Sequence, residues 1–399
     1  MVVLHWAGGY HIFPFAHFKG LRACRTKMTE ATDRPSAATP PPGVVARRDR
    51  ALLHITLDRP DALNALTRGM KRTVSTAISR WGGDPDIYAI VLDAQGARAF
   101  CSGADLAEFR SPAARLDEIL AVQAEETRLL WQIECCIKPS VALIDGLVMG
   151  SGIGLSMFGT HRVAGEGYQF AVPKTAIGYF PDAGATHFLG RLPDHIGVYL
   201  GLTGARVGRA DALELGLVTH CIGRQHYAAI RAGLADADPV DALLDERHEA
   251  PHSDGRAGVL QRLRPVIARC FGRDTVEEIL GALAAETGAA RDWARMTEAT
   301  LARHCPASLK IALRQVRGAG GMDLKVALET EYRMAVHCLV RADFQEGIRT
   351  LLVDKGDIPR WNPATLAGVT PQMVEAVFAP VGVRELILPP RPPSLVALG

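Results

Sequence analysis

Two charged residues, Lys174 and Asp182, stand in the otherwise apolar stretch FAVPKTAIGYFPDAGATHFL at 170–189. Pro173, Gly178, Pro181 and Gly184 break it into short runs, as in a segment folded around a site. A carboxylate can take a proton from water or attack an electrophile itself. A protonated lysine can do neither. It can orient a carboxylate or stabilise negative charge, and a nearby aspartate favours its charged form. His187, at an expected helix start, reads as structural, with acid–base work as the rival reading. Thr175 and Tyr179 read as packing residues.

Two glycine turns upstream supply a different chemistry. FCSGADL (100–106) follows the strand-like YAIVLDA, and GLVMGSGIGLS (146–156) follows SVALI. A strand that leads through glycine into a helix leaves peptide N–H groups free above the turn. Two such turns side by side can aim two donors at one oxygen, an oxyanion hole. A dinucleotide-binding turn is the rival reading. Gly150 and Gly152 suit it, but Leu155 occupies the third glycine position and no carboxylate follows at the required distance. Tight helix–strand packing also calls for small residues here.

These turns need elements to hold them. Strands are expected at 51–57, 88–94 and 140–146, and two short ones at 161–165 and 168–172 around a Gly-containing turn. A helical pattern runs from Asn64 to Trp81 and closes at Gly82–Gly83; a second covers 115–134. The alternation argues α/β. After about residue 186 the strand signals stop, and helices are expected at 195–202, 209–216, 257–271, 275–303, 307–317 and 322–349. The polar, acidic stretch 234–256 reads as a surface excursion, and no internal repeat is found.

Composition narrows the function classes. Lys+Arg 45 against Asp+Glu 43 leaves no basic excess for nucleic acid or an anionic membrane surface. No apolar run is long enough for a membrane span. Eight scattered cysteines contain no CxxC pair, and the three His-Cys dipeptides lack zinc spacing, so no metal site is expected. Reduced, mostly buried thiols fit a reducing compartment. Residues 1–45 are set aside as a disordered leader, with a Pro/Ala/Thr-rich lead-in at 34–43. A cytoplasmic location is expected, or the mitochondrial matrix if residues 1–29, basic and free of acids, are a transit peptide.

The segments LDRPDALNALT (57–67), AFCSGADL (99–106), KPSVALIDGLVMGSGIGLS (138–156), 170–189 and LTGARVGRADALELGLV (202–218) come in a family's order. The chain resembles the enoyl-CoA hydratase/isomerase (crotonase) superfamily, and within it the 3-hydroxyisobutyryl-CoA hydrolase branch. Gly154 stands where hydratases carry their first catalytic glutamate, and Asp182 where they usually have glycine. SLKIALRQV (308–316), EYRMA (331–335) and DFQEGIRTLLVDKGDIPRWNPATL (343–366) match that branch's C-terminal segment. The resemblance covers roughly 50–378. It implies a spiral of ββα units over 46–225, a helical C-terminal region over 226–378 and a tail over 379–399. It also implies a homotrimer or hexamer and an acyl-CoA ligand with no metal or redox cofactor. The thioester carbonyl oxygen would sit between the N–H groups of Ala104 and Ser151, flanked by Gly150 and Gly152. Glu126 matches a substrate-contact glutamate, with a solvated helix carboxylate beside Glu125 as the competing reading.

Two departures stand out. Ser151 replaces the middle glycine of the family's GGG, and Lys174 replaces the glutamate of PETAIG, a principal catalytic carboxylate of the hydrolases. Three readings follow. Asp182 works alone as base or nucleophile, with Lys174 orienting it or stabilising negative charge, in hydrolysis of a short branched hydroxyacyl-CoA such as 3-hydroxyisobutyryl-CoA. Or the reaction is an enoyl-CoA hydration or isomerisation. Or the chain binds CoA esters without turning them over, and Lys174–Asp182 is a structural ion pair.

Overall fold

The computed structural model describes residues 43–109, 116–251 and 258–392. The leader up to residue 42 and the last seven residues lie outside these ranges. In chain order come β1 (Val44–Asp49), β2 (Leu52–Leu57), α1 (Arg68–Trp81), β3 (Ala89–Ala94), β4 (Ala99–Cys101) and α2 (Leu116–Glu134). Then follow β5 (Ser140–Ile144), β6 (Leu147–Met149), α3 (Ser151–Met157), β7 (His161–Ala164), β8 (Gln169–Ala171), α4 (Ala185–Leu189) and α5 (Ile196–Thr203). β9 (Val207–Gly208), α6 (Arg209–Glu214), β10 (His220–Cys221), α7 (Tyr227–Ala235) and α8 (Val240–Asp245) complete the first part.

From β3 to β8, successive strands alternate between two sheets. The larger has the order β1-β2-β3-β5-β7-β10, the smaller β4-β6-β8-β9. β3 to β4, β5 to β6 and β7 to β8 each step from the larger sheet to the smaller, so the chain climbs as a spiral of ββα units. The expected turn between 161–165 and 168–172 is therefore no hairpin: β7 pairs with β5, and β8 with β6. β4, β6, β9 and β10 carry too few residues to show alternation, and VVARRD at 44–49 reads as polar. β1 takes the last two residues assigned to the leader, and Val44 is in the core.

Alternation along the larger sheet separates two apolar layers. Ile90, Leu92, Ala142 and Ile144 face the main core, whereas Ala89, Val91, Val141 and Leu143 face a second core under α7 and α8. The stretch read as a surface excursion contains α8, whose Val240, Leu243 and Leu244 are buried in that second core. Helix α1 starts four residues later than expected, because Thr67 caps it and accepts from the Met70 N–H. Asn64 instead adopts φ 54°. Its side chain accepts from the Arg59 N–H and donates to the carbonyls of Gln95 and Ala99, tying three loops together.

The C-terminal region consists of α9 (Val259–Phe271), α10 (Val276–Ala284), α11 (Arg291–Leu301), α12 (Pro306–Gly318), α13 (Leu324–Cys338), α14 (Ala342–Ile348) and α15 (Pro371–Glu375). The expected helices 275–303 and 322–349 are each split in two. One apolar core runs continuously from Val44 to Leu388. The expected tail is docked as far as it is described: Leu388 is buried, Glu385 pairs with Arg333 and Arg391 with Glu134.

His304, between α11 and α12, ties this region to the Lys174 segment. Its Nδ1 lies 3.0 Å from both the Leu202 carbonyl oxygen and Thr175 Oγ1. Its Nε2 is buried and, among the described residues, has no hydrogen-bond partner. A second proton would sit there unanswered, so burial lowers the pKa from 6.5 to about 4. The unfolded chain takes up that proton more readily. This contribution to stability is complete above about 6.5 and lost as pH falls toward about 4. Urea unfolding between pH 7 and 4 should show an acid loss that is smaller in His304→Asn.

Candidate active site

β4 and β6 are parallel neighbours, with Ala99 opposite Leu147. Their C-terminal ends leave the sheet on one edge, and the two glycine turns touch there. Gly103 has φ 107° and Gly150 φ 47°, conformations that a side chain strains. A Cβ on Gly150 would also lie 3.4 Å from Gly103 Cα. Ser151 follows as the first residue of α3, so the unusual backbone falls on Gly150 and a serine fits at the next position. Among the described residues, the Ser151 N–H, at the helix start, has no backbone acceptor. Ala104 sits in a parallel bridge with Leu66, in which Leu66 N–H donates to Gly103 O and Asp105 N–H to Leu66 O. That pattern leaves the Ala104 N–H unused too. A Cβ on Gly152 would come within 2.6 Å of Cys101 Cβ, so this glycine is explained by close packing of α3 on β4.

Glu126 is buried, against the solvated reading. Its Oε2 accepts from Lys71 Nζ at 2.5 Å and its Oε1 from the Ser151 hydroxyl. Burial pushes its carboxyl up, but Lys71, Ser151 and Lys174 together hold it below the ordinary value. Its neighbour Glu125 points the other way, to Arg68 and Arg72.

Lys174 and Asp182 meet. Nζ lies 2.7 Å from Oδ1, with both side chains nearly buried. At that distance the contact is a charge-assisted one between ammonium and carboxylate. The same ammonium is 3.3 Å from the place a Gly150 Cβ would take, and 5.5 Å from the centre of the Tyr179 ring. Burial raises the Asp182 carboxyl above its ordinary value; Lys174 opposes this and Glu126 adds to it. Among the described residues, the buried Tyr179 hydroxyl has no hydrogen-bond partner. The residue read as packing is thus also the wall of the ion pair.

The turn that carries Asp182 is held from the C-terminal helices. Glu331 of α13 accepts from the N–H groups of Gly184 and Thr186, at 2.7 and 2.8 Å. Gln315 of α12 donates to the Pro181 carbonyl and to Thr186 Oγ1. Behind Lys174, a Cβ on Gly178 would strike the Asp343 carbonyl and one on Gly347 the Ile177 carbonyl, so α14 lies backbone to backbone against this segment. His187 turns away, to the Met322 carbonyl and Arg191. The fold thus gathers Glu126, Gly150, Ser151, Lys174 and Asp182 around the turn bearing Ala104. Sequence reasoning missed Lys71, Gln315 and Glu331. The one signal for Lys71 is a lysine on the apolar face of α1.

Among the described residues, no three His, Cys, Asp or Glu side chains are grouped to hold a metal ion. A separate cavity of about 370 Å³ lies beside the second core, lined by Arg47, His54, Asp93, Asp145, Arg224 and Arg231 among others. It includes none of the site residues above.

The enoyl-CoA hydratase/isomerase family profile matches residues 52–378. The chain belongs to this family. It is 38% identical over 343 residues to "3-hydroxyisobutyryl-CoA hydrolase, mitochondrial" of Danio rerio, covering 84% of this chain and 88% of that one. It is 38% identical over 357 residues to "3-hydroxyisobutyryl-CoA hydrolase 1" of Arabidopsis thaliana, covering 86% and 93%. A crystal structure of an enoyl-CoA hydratase from Rhodobacter sphaeroides superposes with a TM-score of 0.79 at 36% identity, over 87% of this chain and 100% of that one. The ββα spiral with its helical C-terminal region is therefore the fold of this family member.

Lys174→Met leaves Asp182 without its counter-charge. Breaking a buried pair costs about 3–5 kcal/mol. Urea unfolding at pH 7 should show a loss of that order. The loss should shrink at low pH, where a protonated Asp182 needs no partner.

Proposed function

We propose that the protein hydrolyses the thioester of a short, branched hydroxyacyl-CoA such as 3-hydroxyisobutyryl-CoA, with Asp182 as the base. The observation that carries this reading is the Lys174–Asp182 pair standing at the meeting point of the two glycine turns. The names of the Danio rerio and Arabidopsis thaliana relatives support the substrate. In this reading the acyl carbonyl oxygen lies between the N–H groups of Ala104 and Ser151. Asp182 takes a proton from water, and the water oxygen bonds to the carbonyl carbon. Negative charge collects on the carbonyl oxygen, where each peptide donor contributes about 3 kcal/mol. The C–S bond then breaks, and CoA leaves as the thiol as its sulfur takes back the proton that Asp182 removed from water. The Lys174 ammonium adds positive potential beside Gly150. Glu126, doubly hydrogen-bonded and held ionised, takes no part in proton transfer. The two N–H donors and Asp182 suffice without a metal or redox cofactor.

A raised carboxyl suits Asp182 to this work, because a stronger base removes the water proton more readily. A base must be ionised, so activity should fall as pH drops through the Asp182 pKa, which lies above 3.8. The Rhodobacter sphaeroides neighbour, titled an enoyl-CoA hydratase, supports hydration as a second reading. The "mitochondrial" in the Danio rerio name favours the transit-peptide reading of residues 1–29 over a cytoplasmic location. A homotrimer or hexamer remains part of the proposal, to be tested by sedimentation.

Thiol release from 3-hydroxyisobutyryl-CoA is the decisive assay, with loss of enoyl-CoA absorbance as the hydratase control. Asp182→Asn should lower kcat by about 100-fold or more; unchanged turnover in the folded variant defeats the assignment. Lys174→Glu should raise hydrolysis about 10- to 100-fold if Asp182 lacks a second carboxylate, and shift the optimum upward by like-charge repulsion. Loss of activity on the preferred substrate instead makes Lys174 a tuned partner. Binding of CoA esters with no turnover by either protein leaves a non-catalytic binder.

A further inference from the structure

Lys71 has no part in the chemistry above, yet it is 2% exposed on the buried face of α1, beside Met70 and Val74. That face of an amphipathic helix calls for an apolar side chain, and a buried ammonium is costly unless paired. The pair is unusual in its reach. Lys71 on α1 holds Glu126 on α2, and the other oxygen of that carboxylate holds the Ser151 hydroxyl on α3. Three helices are joined through one carboxylate.

The chain of contacts ends on the residue whose peptide N–H faces the proposed carbonyl site. Gly150, which precedes α3, has no side chain to cap it, and α3 is only seven residues long. No side chain caps the start of this helix. A carboxylate with both oxygens engaged by charge-assisted bonds cannot rotate freely, so Ser151 is gripped from the side. We propose that Lys71 is a positioning residue: acting through Glu126 and the Ser151 hydroxyl, it fixes the Ser151 peptide N–H against the acyl carbonyl. This rests on the oxyanion site proposed above and deepens it. Lys71 also explains how a serine serves in the turn, because its hydroxyl is drawn toward Glu126.

The loss of Lys71 would leave Glu126 buried without its hydrogen-bonded counter-charge, with only the through-space attraction of Lys174 in its place. Glu126 would then gain a proton or swing away, and its grip on Ser151 would loosen. A misplacement of well under an ångström at such a donor lowers rate more than binding.

The test reads the carbonyl directly. Isobutyryl-CoA labelled with 13C at the thioester carbon is bound to the full-length protein, and its infrared carbonyl stretch is compared with that of the free ester. The native protein should shift the band to lower wavenumber. In Lys71→Met the ester should still bind, while the band moves back toward the free position. On 3-hydroxyisobutyryl-CoA, kcat should fall about 10- to 100-fold with KM changed by no more than about threefold. Lys71→Arg, which keeps the charge, should retain most of both. Lys71→Met/Glu126→Gln carries no unpaired charge and serves if the single variant does not fold; its band should lie between native and free. A native band in folded Lys71→Met or Lys71→Met/Glu126→Gln overturns the proposal. An unshifted band in the native protein defeats the oxyanion site and this inference with it. Absence of thiol release, with a band that still depends on Lys71, defeats only the hydrolase reading.

Discussion

The near-contact of two backbones at Gly103 and Gly150 is the constraint on which the rest of the site depends. Parallel pairing of β4 and β6 brings the two turns to one edge of the smaller sheet. There the missing side chains let the peptide groups approach. Ala104 and Ser151 follow those glycines directly, so their unused N–H groups inherit the geometry of the sheet and not of a mobile loop. A side chain at Gly150 would push on both Gly103 and Lys174, so a single substitution there would disturb the donors and the charges together.

Around this point the protein buries two lysines and two carboxylates in pairs, Lys71 with Glu126 and Lys174 with Asp182. Burial alone would drive both carboxyls toward the neutral form, and the outcomes differ because their contacts differ. Glu126 accepts from an ammonium and a hydroxyl and is held ionised, whereas Asp182 has the Lys174 ammonium against it but also feels the negative charge of Glu126, and is raised. The same interior therefore makes one carboxylate a fixed strut and leaves the other the stronger base.

The C-terminal helices act as a buttress for this arrangement. Glu331 and Gln315 hold the Asp182 turn, His304 holds Thr175, and α14 lies against Gly178. These contacts come from residues more than 120 positions away in sequence. They explain why motifs near the C-terminus accompany the active-site segment: the turn bearing Asp182 has no capping side chain of its own.

Much of the site was legible in the residues themselves. The lone charges of 170–189 and the two glycine turns are local patterns with local causes, and the order of the motifs carries the resemblance that implies an acyl-CoA site on an α/β spiral. The long strands and helices carry enough period to declare themselves. What lay beyond the sequence was set by contacts across the fold. Strands of two or three residues exist only because neighbours pair with them. Helix α8 lies in a polar, acidic stretch of the chain but buries Val240, Leu243 and Leu244 against a sheet that the local sequence cannot reveal. Whether Glu126 met solvent or a partner depended on Lys71, 55 residues away on another helix. The ionisation of a carboxylate is a property of everything packed around it, and only the tertiary structure brings those neighbours together.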